Sequence, residues 1–223
     1  QVQSVDFTDS ETEEMVSGKG FVLFFHPEFL AKYPIAATIK HFGFFSYAVN
    51  EALHLSEKEE ENIIEILLKI KNEYQHIDAY TQDVIISQIE LLLNYCNRYY
   101  QRQFFTRKSQ NTDLLIKMEQ ILNDYFNSEE PLINGLPTVE FIAGNLNLST
   151  HYLTDMLRVL TGQNTQQHIQ EKILEKAKEY LLSTEISVSE IAYQLGFEYP
   201  QSFNKMFKKK MEISPLEFRQ SFN

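Results

Sequence analysis

Residues 187–215 read SVSEIAYQLGFEYPQSFNKMFKKKMEISP. Ser187, followed three positions later by Glu190, is the pair that closes a helix N-terminus reciprocally, side chain to backbone in both directions. Val188, Ile191 and Ala192 then recur at helical spacing until Leu195-Gly196-Phe197 interrupts them. Gly196 supplies the positive φ that a tight turn between two helices needs. Pro200 stands at the start of a second helix, where its missing N–H costs nothing. That helix puts Phe203, Met206, Phe207 and Met211 inward, and Gln201, Ser202, Asn204, Lys205, Lys208 and Lys209 outward. Ser214-Pro215 opens a last short helix whose Leu216 and Phe218 cover the core.

The same layout occurs earlier, in residues 138–162, TVEFIAGNLNLSTHYLTDMLRVLTG. Val139, Ile142 and Ala143 bury the first helix, and Asn145 to Leu148 makes the turn. Ser149 caps the second helix and Gly162 stops it. Leu153, Met156, Leu157 and Leu160 face inward; Thr150, His151, Thr154, Asp155 and Arg158 face outward. Thr165 to Leu182 connects the two units. At the helical rise it spans about 27 Å, against about 34 Å between successive major-groove faces of a duplex. These residues predict two helix-turn-helix units held on one side of double-stranded DNA.

The remaining chain fits an all-α protein. Of 223 residues 43% are hydrophobic, enough for a packed core, and 7 Gly with 6 Pro are too few for a turn-rich β fold. Ser56 with Glu59 opens a helix carrying Ile63, Ile66, Leu67 and Ile70. Residues 81–105 form a second, carrying Ile85, Ile89 and Leu92, with Asp78 to Thr81 as the break. The two form an antiparallel hairpin, and those seven residues are the expected dimerisation surface. A further helix covers 112–126. Ser128 to Pro137, with Pro131, Gly135 and Pro137, reads as a linker. Near the start, Gly18 and Gly20 bracket a turn and Phe21 to Phe25 is a short strand. The chain begins with Gln1 rather than Met, which reads as a fragment or a processed form.

The net charge of −11 is unevenly placed: residues 1–136 carry −10 and residues 137–223 only −1. Lys205, Lys208, Lys209 and Lys210 cluster in the latter part. Local charge governs phosphate contact, because screening acts over about 8 Å at physiological salt. A lone Cys96 allows no internal disulfide and fits a reducing cytoplasm. No apolar run approaches a membrane span, and the six histidines show no metal-ligand spacing. No cofactor, metal or catalytic residue is expected.

Ile191-Ala192-x-x-Leu195-Gly196-Phe197, Phe203-x-x-x-Phe207-Lys208-Lys209 and Ser214-Pro215-x-x-Phe218-Arg219 together resemble the signature of the AraC/XylS transcription regulators. Ser149-x-x-Tyr152-Leu153 and Thr161-Gly162 match its first unit. More loosely, Phe24-Phe25-His26-Pro27 resembles the exit from a cupin-like sensor barrel, and Tyr99-Tyr100-x-Arg102-Gln103-Phe104 the end of a dimerising module. The resemblance implies a remnant of a cupin-like sensor domain at 1–30, a helical dimerisation module at 31–127 and a double helix-turn-helix DNA-binding domain at 137–223. It implies a homodimeric, non-enzymatic regulator, with RNA polymerase as a possible partner and a small-molecule effector unidentified. By position, base reading falls on His151, Thr154 and Asp155 in the first unit. In the second it falls on Gln201, Ser202, Asn204 and Lys205, with Lys208 on phosphate. Three positions depart from the pattern. Asp155 stands where a base is common, and an acid there accepts from cytosine but repels phosphate. Lys205 replaces an Arg and loses bidentate guanine geometry. Glu212 stands where Gly ends the helix, costing about 1 kcal/mol if the φ is positive. The rival readings are a helical interaction module that binds no DNA, marked by an acidic groove over the second recognition helix, and an enzyme using Cys96 or a histidine in a polar pocket.

Overall fold

The computed structural model describes residues 2–8 and 17–222. The fold is all-α apart from one antiparallel pair, β1 (Val2–Thr8) and β2 (Ser17–Leu23), with Val2 opposite Leu23 and Thr8 opposite Ser17. Gly18 and Gly20 therefore lie in a strand rather than about a turn. Residues 9–16 of the expected sensor remnant, and Gln1, lie outside the described residues.

The chain divides into two compact units, Gln1–Phe45 with Ala52–Gln103, and Ser46–Glu51 with Phe104–Asn223. In the first, α1 (Pro27–Leu30) and α2 (Ile35–Thr38) precede a helical hairpin of α3 (Glu57–Glu73) and α4 (Thr81–Thr106). The expected capping box forms at Ser56, and the expected break at Asp78 to Thr81 is itself hydrogen-bonded. Ser56 N–H donates to Glu59 Oε2 at 2.9 Å, and Asp78 Oδ1 accepts from the amides of Tyr80 and Thr81 at 2.8 and 3.0 Å. Ile66, Leu67, Ile70, Ile85, Ile89 and Leu92 are buried with Leu30 and Ile35, and Ile63 is half-buried against them. The side chains expected to face a second copy are thus already covered within one chain, because α1, α2 and β2 fill the space beside the hairpin. The exposed apolar residues of the two helices include Leu68, Val84 and Leu91.

The second unit runs through α5 (Lys108–Phe126), α6 (Glu130–Asn134), α7 (Val139–Asn145), α8 (Thr150–Thr161), α9 (Thr165–Ser183), α10 (Val188–Gln194), α11 (Pro200–Met211) and α12 (Pro215–Gln220). Its core is built from α5 (Met118, Leu122), the connector α9 (Ile169, Ile173, Ala177, Leu181) and the buried inward residues of both helix-turn-helix units, while Met206 and Met211 are half-buried and Leu216, expected over the core, is exposed. The expected linker is ordered. It forms α6, which packs on α10, and Tyr125 donates its hydroxyl to Gly135 O at 2.9 Å. Gly135 in turn abuts the second turn: a Cβ on Gly196 would lie 2.5 Å from its carbonyl carbon and oxygen. Lys176, buried on α9, donates to Asn127 Oδ1 at 3.0 Å and Glu179 at 2.9 Å, which satisfies its charge.

Candidate nucleic-acid interface

Both expected units form, and their turns match bond for bond. In the first, Leu148 N–H donates to Ala143 O at 2.9 Å; in the second, Phe197 N–H donates to Ala192 O at 2.9 Å. Each turn has one left-handed residue, Asn147 (φ 55°) and Gly196 (φ 90°). Each following helix ends on another, Gly162 (φ 78°) and Glu212 (φ 65°), whose amides reach back to Arg158 O and Lys208 O. The strain expected at Glu212 is therefore present.

The caps fix where each outward edge begins. Ser149 Oγ accepts from Tyr152 N at 3.2 Å, and Ser187 Oγ accepts from Glu190 N at 3.2 Å while Glu190 accepts from Ser187 N at 2.7 Å. Hydrogen bonds from the Ser187 hydroxyl and amide hold the Glu190 carboxyl below its usual range. Hydrogen bonds from the Ser214 amide and hydroxyl do the same for Glu217, with Lys208 adding a smaller attraction.

On α11 the inward side is aromatic. Phe203 and Phe207 are fully buried in a run of ring contacts from Phe197 to Phe222, with centroids 5.1–5.8 Å apart. This locks the helix, and Gln201, Ser202, Asn204, Lys205, Lys208 and Lys209 are all exposed on its other side, together with Lys210. Arg219 on α12 donates to Leu181 O and Ile186 O at 3.0 and 2.8 Å, tying the last helix to the end of the connector.

The outward edge of α8 differs. His151 and Arg158 are exposed, whereas Thr150, Thr154 and Asp155 are half-buried. Thr154 Oγ1 lies 3.0 Å from Thr165 Oγ1, so its hydroxyl is engaged with the start of α9. Asp155 pairs with Arg158 at 3.4 Å and accepts from the Tyr47 hydroxyl at 2.9 Å. Tyr47 belongs to a short segment, Ser46–Glu51, for which the sequence gives no expectation. Its ring stands edge-on to Tyr152, centroids 5.2 Å apart. Glu51, only 4% exposed, accepts from Ser149 N and Ser149 Oγ at 2.6 Å each. No periodicity marks this segment, and its contacts bridge some hundred residues of sequence. The one signal available was a carboxylate next to a cluster of aromatics.

Among the described residues no group of His, Cys, Asp or Glu is arranged to hold a metal, and no helix is long and apolar enough to cross a membrane. Burial pushes the Cys96 thiol up to about 11, which leaves it protonated and a poor nucleophile at neutral pH.

Residues 142–221 match a protein family described as a helix-turn-helix domain. Over 106 residues the chain is 32% identical to an uncharacterized HTH-type transcriptional regulator in the cgkA 5' region of Pseudoalteromonas carrageenovora, covering 48% of this chain and 58% of that one. It is 25% identical over 162 residues to the lactose operon transcription activator of Staphylococcus xylosus, covering 73% of this chain and 55% of the relative. It therefore spans a little over half the length of these two relatives. A solved structure, the C-terminal domain of the two-component response regulator yesN from Fusobacterium nucleatum, aligns with 48% of this chain and 98% of its own, at 31% identity and a TM-score of 0.42.

Proposed function

We propose that the chain is a sequence-specific DNA-binding transcription regulator of the AraC/XylS type, reading adjacent major-groove segments with α8 and α11. The observation that carries this is the recurrence of one capped helix-turn-helix layout twice, from Thr138 to Met211, overlapping the matched residues 142–221. In the second copy a rigid aromatic core leaves a wholly exposed basic edge. Gln201, Ser202, Asn204 and Lys205 read bases, and Lys208 and Lys209 hold phosphates. On α8 the exposed readers are His151 and Arg158, with the half-buried Thr150 beside them and Thr154 and Asp155 contributing once their present partners are given up. The protein acts without catalysis, in the cytoplasm, and as a homodimer. With the hairpin's main apolar residues already buried, the dimer contact falls to exposed neighbours such as Leu68, Val84 and Leu91.

The test is fluorescence polarisation with a duplex selected from a random pool and a scrambled control, at two salt concentrations. Lys205→Ala lowers the preference for the selected duplex by about 1–3 kcal/mol. Lys208→Ala weakens both duplexes alike and reduces the salt slope by about 1. An affinity for DNA that ignores salt would sink the reading.

A further inference from the structure

The start of the first recognition helix holds a carboxylate, that of Glu51. A phosphate at a helix start is held by free backbone amides and a capping hydroxyl. At α8 those donors are Ser149 N–H and Ser149 O–H, and Glu51 takes both. Its Oε1 accepts from the amide, and its Oε2 accepts from the hydroxyl and from Ala48 N, each at 2.6 Å. The carboxylate is 4% exposed, so it is not a surface group that swings aside freely. One residue in each of the first two turns of α8 is held as well: Tyr47 packs its ring against Tyr152 and donates to Asp155. Segment 46–51 therefore lies along one flank of the outward edge, from its cap to Asp155.

The geometry points to a built-in competitor of DNA at the first recognition helix: the Ser46–Glu51 clasp and a duplex phosphate make mutually exclusive use of the Ser149 donors. This rests on the DNA-reading role proposed above and specifies how that site is regulated. A carboxylate and a phosphate cannot share two donors, and each repels the other in the poorly screened space around a buried group. Release of the clasp exposes the cap and removes Tyr47 from Asp155 together, so the first unit changes state as one element. Both ends of the clasp continue into the other unit, at Phe45 and at Ala52. A change there that strains either end is thereby felt at α8, while α11, which has no such cover, stays ready to bind.

The full chain, titrated with a mixed-sequence duplex several helical turns long, separates the possibilities. Glu51→Gln removes the charge and Glu51→Ala the whole clamp. Each tightens binding by about 5-fold or more, the lower end of ordinary coupling between sites. Tyr47→Ala, which loosens the clasp without altering charge, tightens it by a smaller factor. Thermal melts of each variant confirm folding. Hydrogen exchange on the unaltered chain gives an independent readout. Adding duplex speeds exchange across 46–51, where Ala48 N–H and Glu51 N–H are now bonded, and slows it across α11. Variants that bind no tighter, or a clasp that keeps its protection with DNA bound, would overturn the inference while leaving the DNA-binding role intact. Absence of salt-dependent binding with no protection on α11 would overturn both.

Discussion

Lys205 and Asp155 occupy the same position of two helices that start fifty residues apart, and they carry opposite charge. Position by position, α11 repeats α8: Phe203 for Leu153, Met206 for Met156, Phe207 for Leu157, Lys208 for Arg158. The inward sides agree in apolar character, and in burial except that Met156 is fully buried where Met206 is half-buried. The outward sides do not, since one is open and basic and the other is partly engaged with Tyr47, Thr165 and its own Arg158. A shared scaffold therefore does not imply a shared task. Packing restricts what may point inward, while an outward position is free to change sign.

The first break in the symmetry is in the core. At matched inward positions the second recognition helix buries Phe203 and Phe207 where the first buries Leu153 and Leu157. Phe207→Ala leaves a cavity in a ring-packed site and is expected to cost about 3–5 kcal/mol, against about 2–5 for Leu157→Ala. Chemical denaturation checks both. A Phe207→Ala loss under 1 kcal/mol would mean that α11 is not locked by its aromatic contacts.

The turns give a sharper contrast. Asn147 and Gly196 are equivalent, and both are left-handed. Asn tolerates that backbone without a partner nearby, so φ alone does not demand glycine in the second unit. The demand comes from Gly135, whose backbone would sit 2.5 Å from an added Cβ. Gly196→Asn, which imports the residue of the first unit, is expected to cost about 1–3 kcal/mol through overpacking. Asn147→Gly should change stability by a few tenths, about the difference between these residues in such turns. Equal effects would show that α6 yields rather than braces.

These pairs also mark what was legible in the sequence. The two units, their caps, the connector and the hairpin followed from local periodicity and from polar residues at fixed offsets, and each formed where expected. Gly196 was assigned its positive φ, but the approach of Gly135 could not be read, because residues 128–137 look like a linker in composition. The clasp was invisible for a related reason. Glu51 and Tyr47 gain their meaning from Ser149, Asp155 and Tyr152, and contacts across that span leave no period in either segment. The exposed edge of α11 was recovered in full. That of α8 was recovered as a set of residues, without the partners that now hold Thr154 and Asp155.

At the helix ends the order of fitness reverses. Gly162 terminates α8 at no strain, while Glu212 holds φ 65° with a side chain attached. Glu212→Gly removes that penalty and is expected to stabilise the second unit by about 0.5–1 kcal/mol. The Glu212 side chain is exposed, so little packing is lost in exchange. A lower denaturation midpoint in this variant would mean that Glu212 makes a favourable interaction that outweighs its backbone.

The smallest expected effect separates the units by pH. In the first, the position three residues after the Thr138 cap is Phe141, and α9 closes its cap with neutral Gln167. In the second, the equivalent positions are Glu190 and Glu217, both held ionised below their ordinary value of 4.5 by the cap hydrogen bonds. A carboxyl whose folded value is depressed adds stability that is present above its unfolded value and lost as pH falls through the folded one. Between neutrality and about pH 5 neither unit should respond through these caps. Below 4.5 the starts of α10 and α12 should loosen first, seen as faster hydrogen exchange there than at α7 and α9. Both carboxylates are exposed, so salt and solvent keep the effect small. Glu190→Gln, which keeps an acceptor without a titrating proton, should flatten the response at α10 and leave that at α12. If α7 and α9 loosened at the same pH as α10 and α12, the acid response would belong to the unit as a whole, and the two halves would be one cooperative element rather than two copies capped by different chemistry.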